Sequence, residues 1–338
     1  MKIKAYAALK PNQPLEPFEY EPKELGPLDV EIRITHCGVC HTDLHIIEGT
    51  FGPDVFPVVP GHEIAGFITE TGKDVKRLKA GDRVGVGWQR GSCMECEWCV
   101  SGQENLCASN QATCVGHFGG FADAIRIDSR FVFPIPGKLA SPNAASLLCG
   151  GATVFSPLQQ LARPTMRAGV IGIGGLGHFA LQFARAFGCE VTAFSTTPGK
   201  EQEAKNLGAH NFVVTKDEEQ MKKAAGSLDL IISTVNVNLN WGEYLNVLRP
   251  NGSLVLVGLV QDNLSIPTFP LILGQKSVKG SVIGSIHTIN EMLDFAARHD
   301  IKAMIETMPM DKVNEAIEKT KSNKARYRMV LENKEGVS

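Results

Sequence analysis

The sequence predicts an α/β protein of two domains, one β-rich and turn-rich, the other a doubly wound parallel sheet. Three observations carry this. The chain has 338 residues, a length that favours two domains. Its first part alternates apolar and polar residues with period two between Pro and Gly turns. From Ala168 onward, apolar strands alternate with amphipathic helical stretches, the pattern of parallel βαβ units.

In the first part, V-E-I-R-I-T is a strand with one wet face. The stretch Cys37–Glu63 follows, reading C-G-V-C-H-T-D-L-H, an apolar linker and P-G-H-E. Cys40 and His62 are a thiolate and an imidazole, ligand types that zinc prefers, and Gly61 permits a tight turn beside His62. By themselves they read equally well as a buried thiol and a satisfied histidine. I-A-G-F-I-T-E-T-G and D-R-V-G-V-G are two more strands, separated by a charged turn around Lys73–Gly81.

The sharpest motif is C-M-E-C-E-W-C-V-S-G-Q-E-N-L-C, spacing Cys93, Cys96, Cys99 and Cys107 as C-x2-C-x2-C-x7-C. Four thiolates so close repel one another unless a cation neutralises them. A tetrahedral zinc does so with no further ligand, which makes such a site structural. An iron–sulfur cluster is the alternative. No proline follows the fourth cysteine and no second cluster motif appears, which favours zinc.

G-G-F-A-D-A-I-R-I and F-V-F-P-I-P-G continue the β pattern. S-P-N-A-A-S-L-L-C-G-G-A-T-V-F-S-P-L then predicts a helix with Ser141 as N-cap and Pro142 in its first turn. Cys149 in this helix reads as a small apolar residue or as a distant third zinc ligand.

Next, an apolar strand runs into Gly172-x-Gly174-Gly175-Leu176-Gly177, followed by an amphipathic helix and the strand E-V-T-A-F. In that context the glycines mark a dinucleotide site: one for the tight turn, one for close approach to a pyrophosphate, one for helix–strand packing. N-F-V-V-T, D-L-I-I-S-T, S-L-V-L-V-G-L and S-V-K-G-S-V-I-G continue the strands. The tail holds an amphipathic helix (E-M-L-D-F-A-A-R-H), another at Val313–Lys319, and a last strand, R-Y-R-M-V-L. It does not extend the parallel series and is assigned to the first, β-rich domain.

Composition excludes several classes. Hydrophobic residues are 43%, charged residues 21% and net charge is −2, with no long basic run, so neither nucleic acid nor an anionic membrane is a partner. No apolar stretch of roughly 18 residues is present to cross a bilayer. The N-terminus M-K-I-K-A-Y-A-A-L-K has no signal-peptide core. The nine cysteines, an odd and clustered set, suit metal binding in a reducing cytoplasm.

These motifs, together with L-L-C-G-G-A-T-V and the terminal A-R-Y-R, resemble the zinc-dependent medium-chain alcohol dehydrogenases over nearly the full chain. Within them the chain is most similar to the cinnamyl-alcohol-dehydrogenase-like branch and its bacterial broad-specificity aldehyde reductases. The resemblance implies a GroES-like catalytic domain (residues 1–147 and 284–338), a Rossmann domain (148–283) and an active site in the cleft between them. It implies a catalytic zinc on Cys40, His62 and Cys149, with Glu63 beside it, and a structural zinc on Cys93, Cys96, Cys99 and Cys107. It further implies a proton relay through Thr42 and His45, and Asp43 orienting His62. His41 and Arg328 would face the cofactor phosphates and Thr153 the nicotinamide. The reaction implied is reversible reduction of aldehydes to primary alcohols by hydride from NADPH, with an NAD-dependent alcohol dehydrogenase of the same family as the alternative, in a homodimer or homotetramer.

Cofactor choice is legible directly. A fold of this type that prefers NAD carries an acid about 20 residues past the first glycine. Here stand Ser195, Thr196 and Thr197, then Pro198, Gly199 and Lys200, which leave room and positive charge for a 2′-phosphate. NADP(H) is therefore expected, with a plain polar turn as the other reading. Trp88, Phe51, Ile47, Phe118 and Ile286 line a substrate pocket or are plain core. A zinc-free quinone-reductase-like relative is disfavoured by Cys40, His62 and Cys149. A zinc lobe acting only as a binding module is disfavoured by the near-zero charge.

Overall fold

A computed structural model describes residues 2–52, 55–260 and 262–333. The chain divides into two compact units, Met1–Cys149 with Gly284–Ser338, and Gly150–Ile283.

The first unit opens with an antiparallel hairpin, β1 (Ile3–Ala7) and β2 (Glu16–Tyr20). β3 (Asp29–Val39) is the long strand predicted from V-E-I-R-I-T, and it runs directly into α1 (His41–Ile47). β4 (Glu63–Thr71) and β5 (Arg83–Val86) follow. A small excursion comprises β6 (Gln89–Gly91), α2 (Glu97–Val100) and β7 (Gln111–Ala112). β8 (Ala124–Asp128), β9 (Val132–Pro134) and α3 (Ser141–Ser146) complete the leading part.

The second unit holds α4 (Ala152–Leu161), β10 (Arg167–Ile171), α5 (Gly177–Ala186), β11 (Glu190–Ser195), α6 (Glu201–Asn206) and β12 (Asn211–Val214). It continues with α7 (Glu218–Lys223), β13 (Leu228–Ser233), α8 (Trp241–Val247), β14 (Leu248–Leu256), α9 (Thr268–Gly274) and β15 (Ser277–Gly280). Among the described residues its sheet has six strands in the order β12-β11-β10-β13-β14-β15, all paired in parallel. The order reverses at β10, so the loops after β10 and β13 open a crevice at their C-terminal ends, where such sheets take ligands. Phe194, Ile231, Trp241 and Leu245 are buried in its core.

The chain then returns to the first unit with α10 (Ile286–His299), β16 (Ile305–Pro309), α11 (Val313–Lys321) and β17 (Arg328–Glu332). β17 pairs antiparallel with β3, giving, among the described residues, a seven-stranded sheet ordered β16-β17-β3-β4-β5-β9, with β8 also on β3. Ile32, Ile34, Ile64 and Val84 are fully or almost fully buried in its core. Each such burial contributes about 1.5–3 kcal/mol relative to exposure.

Three local expectations change. Ala140, not Ser141, is the N-cap of α3; Ser141 is its first helical residue and Pro142 sits in the first turn. Proline fixes the entry geometry without needing the serine hydroxyl as a cap. The single helix expected from Ser141 is interrupted by a π turn, Leu147–Gly151. The tail helix α10 also starts a turn earlier than its apolar period suggested, because Ser285 Oγ accepts the Thr288 N–H and caps it there.

Candidate active site

Sheet register brings the first cluster together. β3 ends at Val39, opposite Met329 of β17, while Gly38 lies opposite Glu63 of β4. Cys40, Glu63 and Arg328 therefore converge at one end of the sheet. Gly61 takes φ +99°, a left-handed turn that sets His62 just before β4. Cys149 arrives from the π turn. One ligand atom each of Cys40, His62, Glu63 and Cys149 lies within 4.8 Å of the others. π turns are frequent at functional sites, and this one carries Cys149.

Asp43 organises this cluster from a fully buried position. Its Oδ2 accepts the Cys40 backbone N–H at 2.9 Å, and its Oδ1 accepts the Gly61 N–H at 2.9 Å and His62 Nδ1 at 3.0 Å. A carboxylate that binds Nδ1 fixes the ring's orientation and turns Nε2 to the other side. His62 Nε2 is indeed buried without a hydrogen-bond partner, as is Glu63 Oε2. Burial alone would push the His62 imidazole down, but Asp43 and Cys149 hold it well above its usual range.

A hydrogen bond links the two thiols. The hydrogen bond with Cys149 pulls Cys40 well below the ordinary thiol range, and the same contact pushes Cys149 well above it. A dication resolves that conflict by holding both as thiolates. Two thiols, an imidazole aimed by its other nitrogen and a nearby carboxylate are the donor set of zinc, so these residues fit the metal. Burial raises Glu63 to about 7, against the pull of the Arg328 guanidinium with which it forms a buried ion pair. Arg328, 5% exposed, is thus engaged inside the first unit.

The remaining residues of this unit surround the cluster. Thr42 Oγ1 is 3.7 Å from Cys40 Sγ. His45 is one turn further along α1, and its Nδ1 stands 3.7 Å from the Glu48 carboxylate. Burial lowers the His41 imidazole, with Cys40 opposing. Trp88 packs edge-on against His62, with ring centroids 5.1 Å apart, and Phe51 leans on Trp88 at 6.0 Å. Phe118 instead joins an aromatic cluster with Phe18 and Tyr20. Sequence reasoning missed Cys114, whose Sγ lies 3.9 Å from His62 Nδ1; nothing in its sequence neighbourhood marks it.

The second cluster is local. Cys93, Cys96, Cys99 and Cys107 bring their sulfurs within 4.8 Å of one another. Met94 at φ +60° makes the turn that folds Cys96 back, and the Cys96 N–H points at Cys93 Sγ at 3.3 Å. Backbone N–H groups of Glu95 and Cys96 pull the Cys93 thiol down to about 6. The Cys99 N–H lowers Cys96, but burial and the neighbouring thiols raise it to about 11. Four thiols with no open position fit a structural zinc. Buried Glu104 ties this lobe down: its carbonyl accepts Gln89 Nε2 at 2.8 Å and its carboxylate accepts the Ile286 N–H of α10 at 3.3 Å.

In the second unit, Gly172 at φ +86° turns the chain out of β10, and a side chain on Gly177 would collide with the Gly172 carbonyl. A Cβ added at Gly174 would meet nothing within 4 Å, so the loop keeps an open cradle of the kind a pyrophosphate fills. Thr234 Oγ1 donates to Ile171 O at 2.8 Å, and Lys200 Nζ to Ile173 O at 2.7 Å. Ser195 ends β11 with its Oγ accepting the Thr197 N–H at 3.1 Å, while Thr196 and Thr197 are exposed. Thr153 is buried in α4.

Comparison with known proteins agrees with this geometry. Residues 26–137 match the alcohol dehydrogenase GroES-like domain and residues 175–298 the zinc-binding dehydrogenase family. An aldehyde reductase, AdhA, of Synechocystis sp. is 48% identical over 330 residues, 97% of this chain and 98% of that protein. The chain belongs to the zinc-binding alcohol dehydrogenases. Within that family, a solved cinnamyl alcohol dehydrogenase from Sorghum bicolor superposes with TM-score 0.94 at 42% identity, covering 98% of both chains. The cinnamyl alcohol dehydrogenase of Helicobacter pylori, solved as a complex with NADP(H), gives TM-score 0.91 at 33% identity over 100% of this chain and 99% of that one. This dehydrogenase has a β-rich unit bearing clustered cysteines and a unit whose parallel sheet bears a glycine loop. Among its described residues no helix is long and apolar enough to cross a membrane.

Proposed function

We propose that this dehydrogenase reduces aldehydes to primary alcohols with NADPH, and runs the reverse reaction when alcohol and NADP+ are supplied. The observation that carries the reading is the convergence of half-buried Cys40 with buried His62 and Cys149, with the unpartnered Nε2 of His62 among them. Three protein ligands leave zinc one open position. When bound, zinc supplies a Lewis acid for the carbonyl oxygen and the nicotinamide a hydride for the carbonyl carbon.

The chain's own residues do the rest. Asp43 keeps His62 in the tautomer that presents Nε2. The Thr42 hydroxyl, able to donate and accept at once, passes a proton to the substrate oxygen, and His45 replenishes it from solvent. One aldehyde, one NADPH and one proton thus give one alcohol and one NADP+. Trp88 and Phe51 offer an apolar wall suited to aryl or alkyl aldehydes. Glu63 and Arg328 neutralise each other beside the thiols.

In this reading Met1–Cys149 with Gly284–Ser338 is the catalytic unit and Gly150–Ile283 the cofactor unit. Ser195, Thr196, Thr197 and Lys200 accept the 2′-phosphate, and Gly172, Gly174, Gly175, Leu176 and Gly177 the pyrophosphate. His41 and Thr153 contact the cofactor. The assembly is a homodimer or homotetramer in the cytoplasm. Support comes from β15, an edge strand, and from Phe269, Ile272 and Leu273 of α9, each more than 70% exposed.

The test is a panel of aldehydes and alcohols assayed with both nicotinamides, alongside metal analysis. NADPH should outperform NADH on the best aldehyde, with about two zincs per chain. Equal efficiency, or a preference for NADH, overturns the cofactor choice. Absence of turnover with about one zinc or none overturns the enzyme.

A further inference from the structure

The glycine loop is followed at once by a histidine that no part of the reaction requires. His178 lies in the first turn of α5, is fully buried and has its ring against Phe179, with centroids 4.0 Å apart. Its neighbours along α5 are largely apolar, with Phe179, Ala180, Leu181 and Phe183 all buried. A buried imidazole in such surroundings loses stability unless its polar atoms are bonded. Its Nδ1 lies 3.1 Å from the carbonyl oxygen of Gly174. A carbonyl only accepts, so Nδ1 carries the proton and donates. The His178 backbone N–H donates to the same oxygen, also at 3.1 Å.

Two donors from one residue therefore pin one carbonyl of the loop. A trans peptide is planar, so fixing the Gly174 C=O fixes the Gly175 N–H in the opposite direction. That direction leads away from the first turn of α5. Space is kept open beside this peptide, since a Cβ at Gly174 would have no neighbour within 4 Å. The backbone bond alone leaves that peptide free to tilt, as helix termini do when their first turn frays.

We infer that His178 is a positioning residue for cofactor binding: its Nδ1–H locks the Gly174–Gly175 peptide so that the Gly175 N–H faces the diphosphate of the dinucleotide. This rests on the reading of Gly172–Gly177 as the dinucleotide loop. His178 acts through the loop and touches no reacting atom. Its effect falls on the diphosphate, which NADPH and NADH share, and not on the 2′-phosphate held at Ser195–Thr197.

The experiment compares His178→Leu, which keeps apolar bulk but has no donor, with His178→Asn, whose side-chain amide places a donor near the position of Nδ1. Dissociation constants are measured by fluorescence titration of the full-length zinc-loaded protein with NADPH, NADH and adenosine 2′-monophosphate, which lacks the diphosphate. Thermal unfolding is recorded for each variant. The leucine variant should bind both dinucleotides about tenfold more weakly, the scale of one lost hydrogen bond to an oriented group. It should bind adenosine 2′-monophosphate as the parent does, and KM for NADPH should rise with little change in kcat. The asparagine variant should return within about twofold of the parent. A leucine variant with unchanged dinucleotide affinity overturns the inference. So does an asparagine variant as weak as leucine, or a loss that extends equally to adenosine 2′-monophosphate. The parent's own titrations report separately on the cofactor reading: NADH bound as tightly as NADPH removes the 2′-phosphate assignment while the His178 comparison stands. A parent that binds neither dinucleotide overturns both.

Discussion

The four-cysteine lobe and the Cys40–His62–Cys149 cluster use the same ligand chemistry in opposite ways. The lobe takes all four sulfurs from one short segment, bends it with a left-handed Met94 and leaves Cys93 and Cys96 partly exposed. The other cluster draws on the end of β3, the start of β4 and a π turn, and His62, Glu63 and Cys149 are buried. A closed tetrahedral site can be made by a loop that folds around its own ion. An open site must keep its ligands in place while one position stays free, so it needs a scaffold that already fixes them. Asp43, with three hydrogen bonds around Cys40 and His62, has no counterpart in the four-cysteine lobe among the described residues.

The contrast breaks most sharply at Cys40. Cys40→Ser should abolish turnover and remove about one zinc of two, while thermal stability and NADPH binding persist. Near-normal activity at full metal content would take Cys40 out of the site. Next comes proton delivery. Thr42→Val, which keeps shape and loses the hydroxyl, should lower kcat by about 10²–10⁴. His45→Ala should lower it less, since water can replace an outer relay member. The reverse order would disprove the relay as drawn.

Asp43→Asn tests whether the open site depends on its support. Weaker orientation of His62 should cost about 10–100-fold in zinc affinity at that site, read by competition with a chelator, with the lobe's zinc untouched. Equal weakening at both sites would erase the distinction between them. Cys93→Ser addresses the lobe. Metal should leave it and the segment should unfold locally, lowering the melting temperature and promoting aggregation, with kcat per folded molecule near the parent's. Identical melting curves and zinc content would show that the lobe is not a structural site.

The smallest effect belongs to a histidine assigned no ligand role. Burial pushes His117 down to about 4, helped by Arg90 and Lys23. The unfolded chain, with an ordinary histidine near 6.5, then binds the proton more readily than the folded one. Its contribution to stability is complete above about pH 6.5 and is lost as the pH falls toward 4. His117→Asn should flatten that part of the acid limb in urea titrations. His117 is half-buried, so the change is modest. An acid limb identical to the parent's would show that His117 keeps an ordinary pKa.

What could be read in advance follows the range of the interactions. The C-x2-C-x2-C-x7-C spacing is a contact list in itself, because so few residues separate the sulfurs that only one compact loop brings them together. The glycine loop is similar: its turn, its close packing and its helix all lie within a few residues. Alternation of strands and helices sufficed for the parallel sheet, since each βαβ unit is right-handed and local. The absence of an acid after β11 was likewise plain in Ser195–Thr197.

Tertiary structure decided the rest. Cys40, Glu63 and Arg328 meet only because β3 is paired on both sides, and strand register over such sequence separations is set by the whole sheet's buried face. Helical periodicity hid the π turn that carries Cys149, because one extra residue leaves the apolar pattern almost intact. Ser141 lost its cap to Ala140 because the fixed geometry of Pro142 outweighed a side-chain preference. Phe118 went to Phe18 and Tyr20, since an apolar side chain carries no record of which cavity it will fill. The sequence determined the chemistry available to this dehydrogenase, through ligand types and local spacings. Only the folded sheet, whose hydrogen-bond register is a cooperative property of many strands, decided which of those groups face one another.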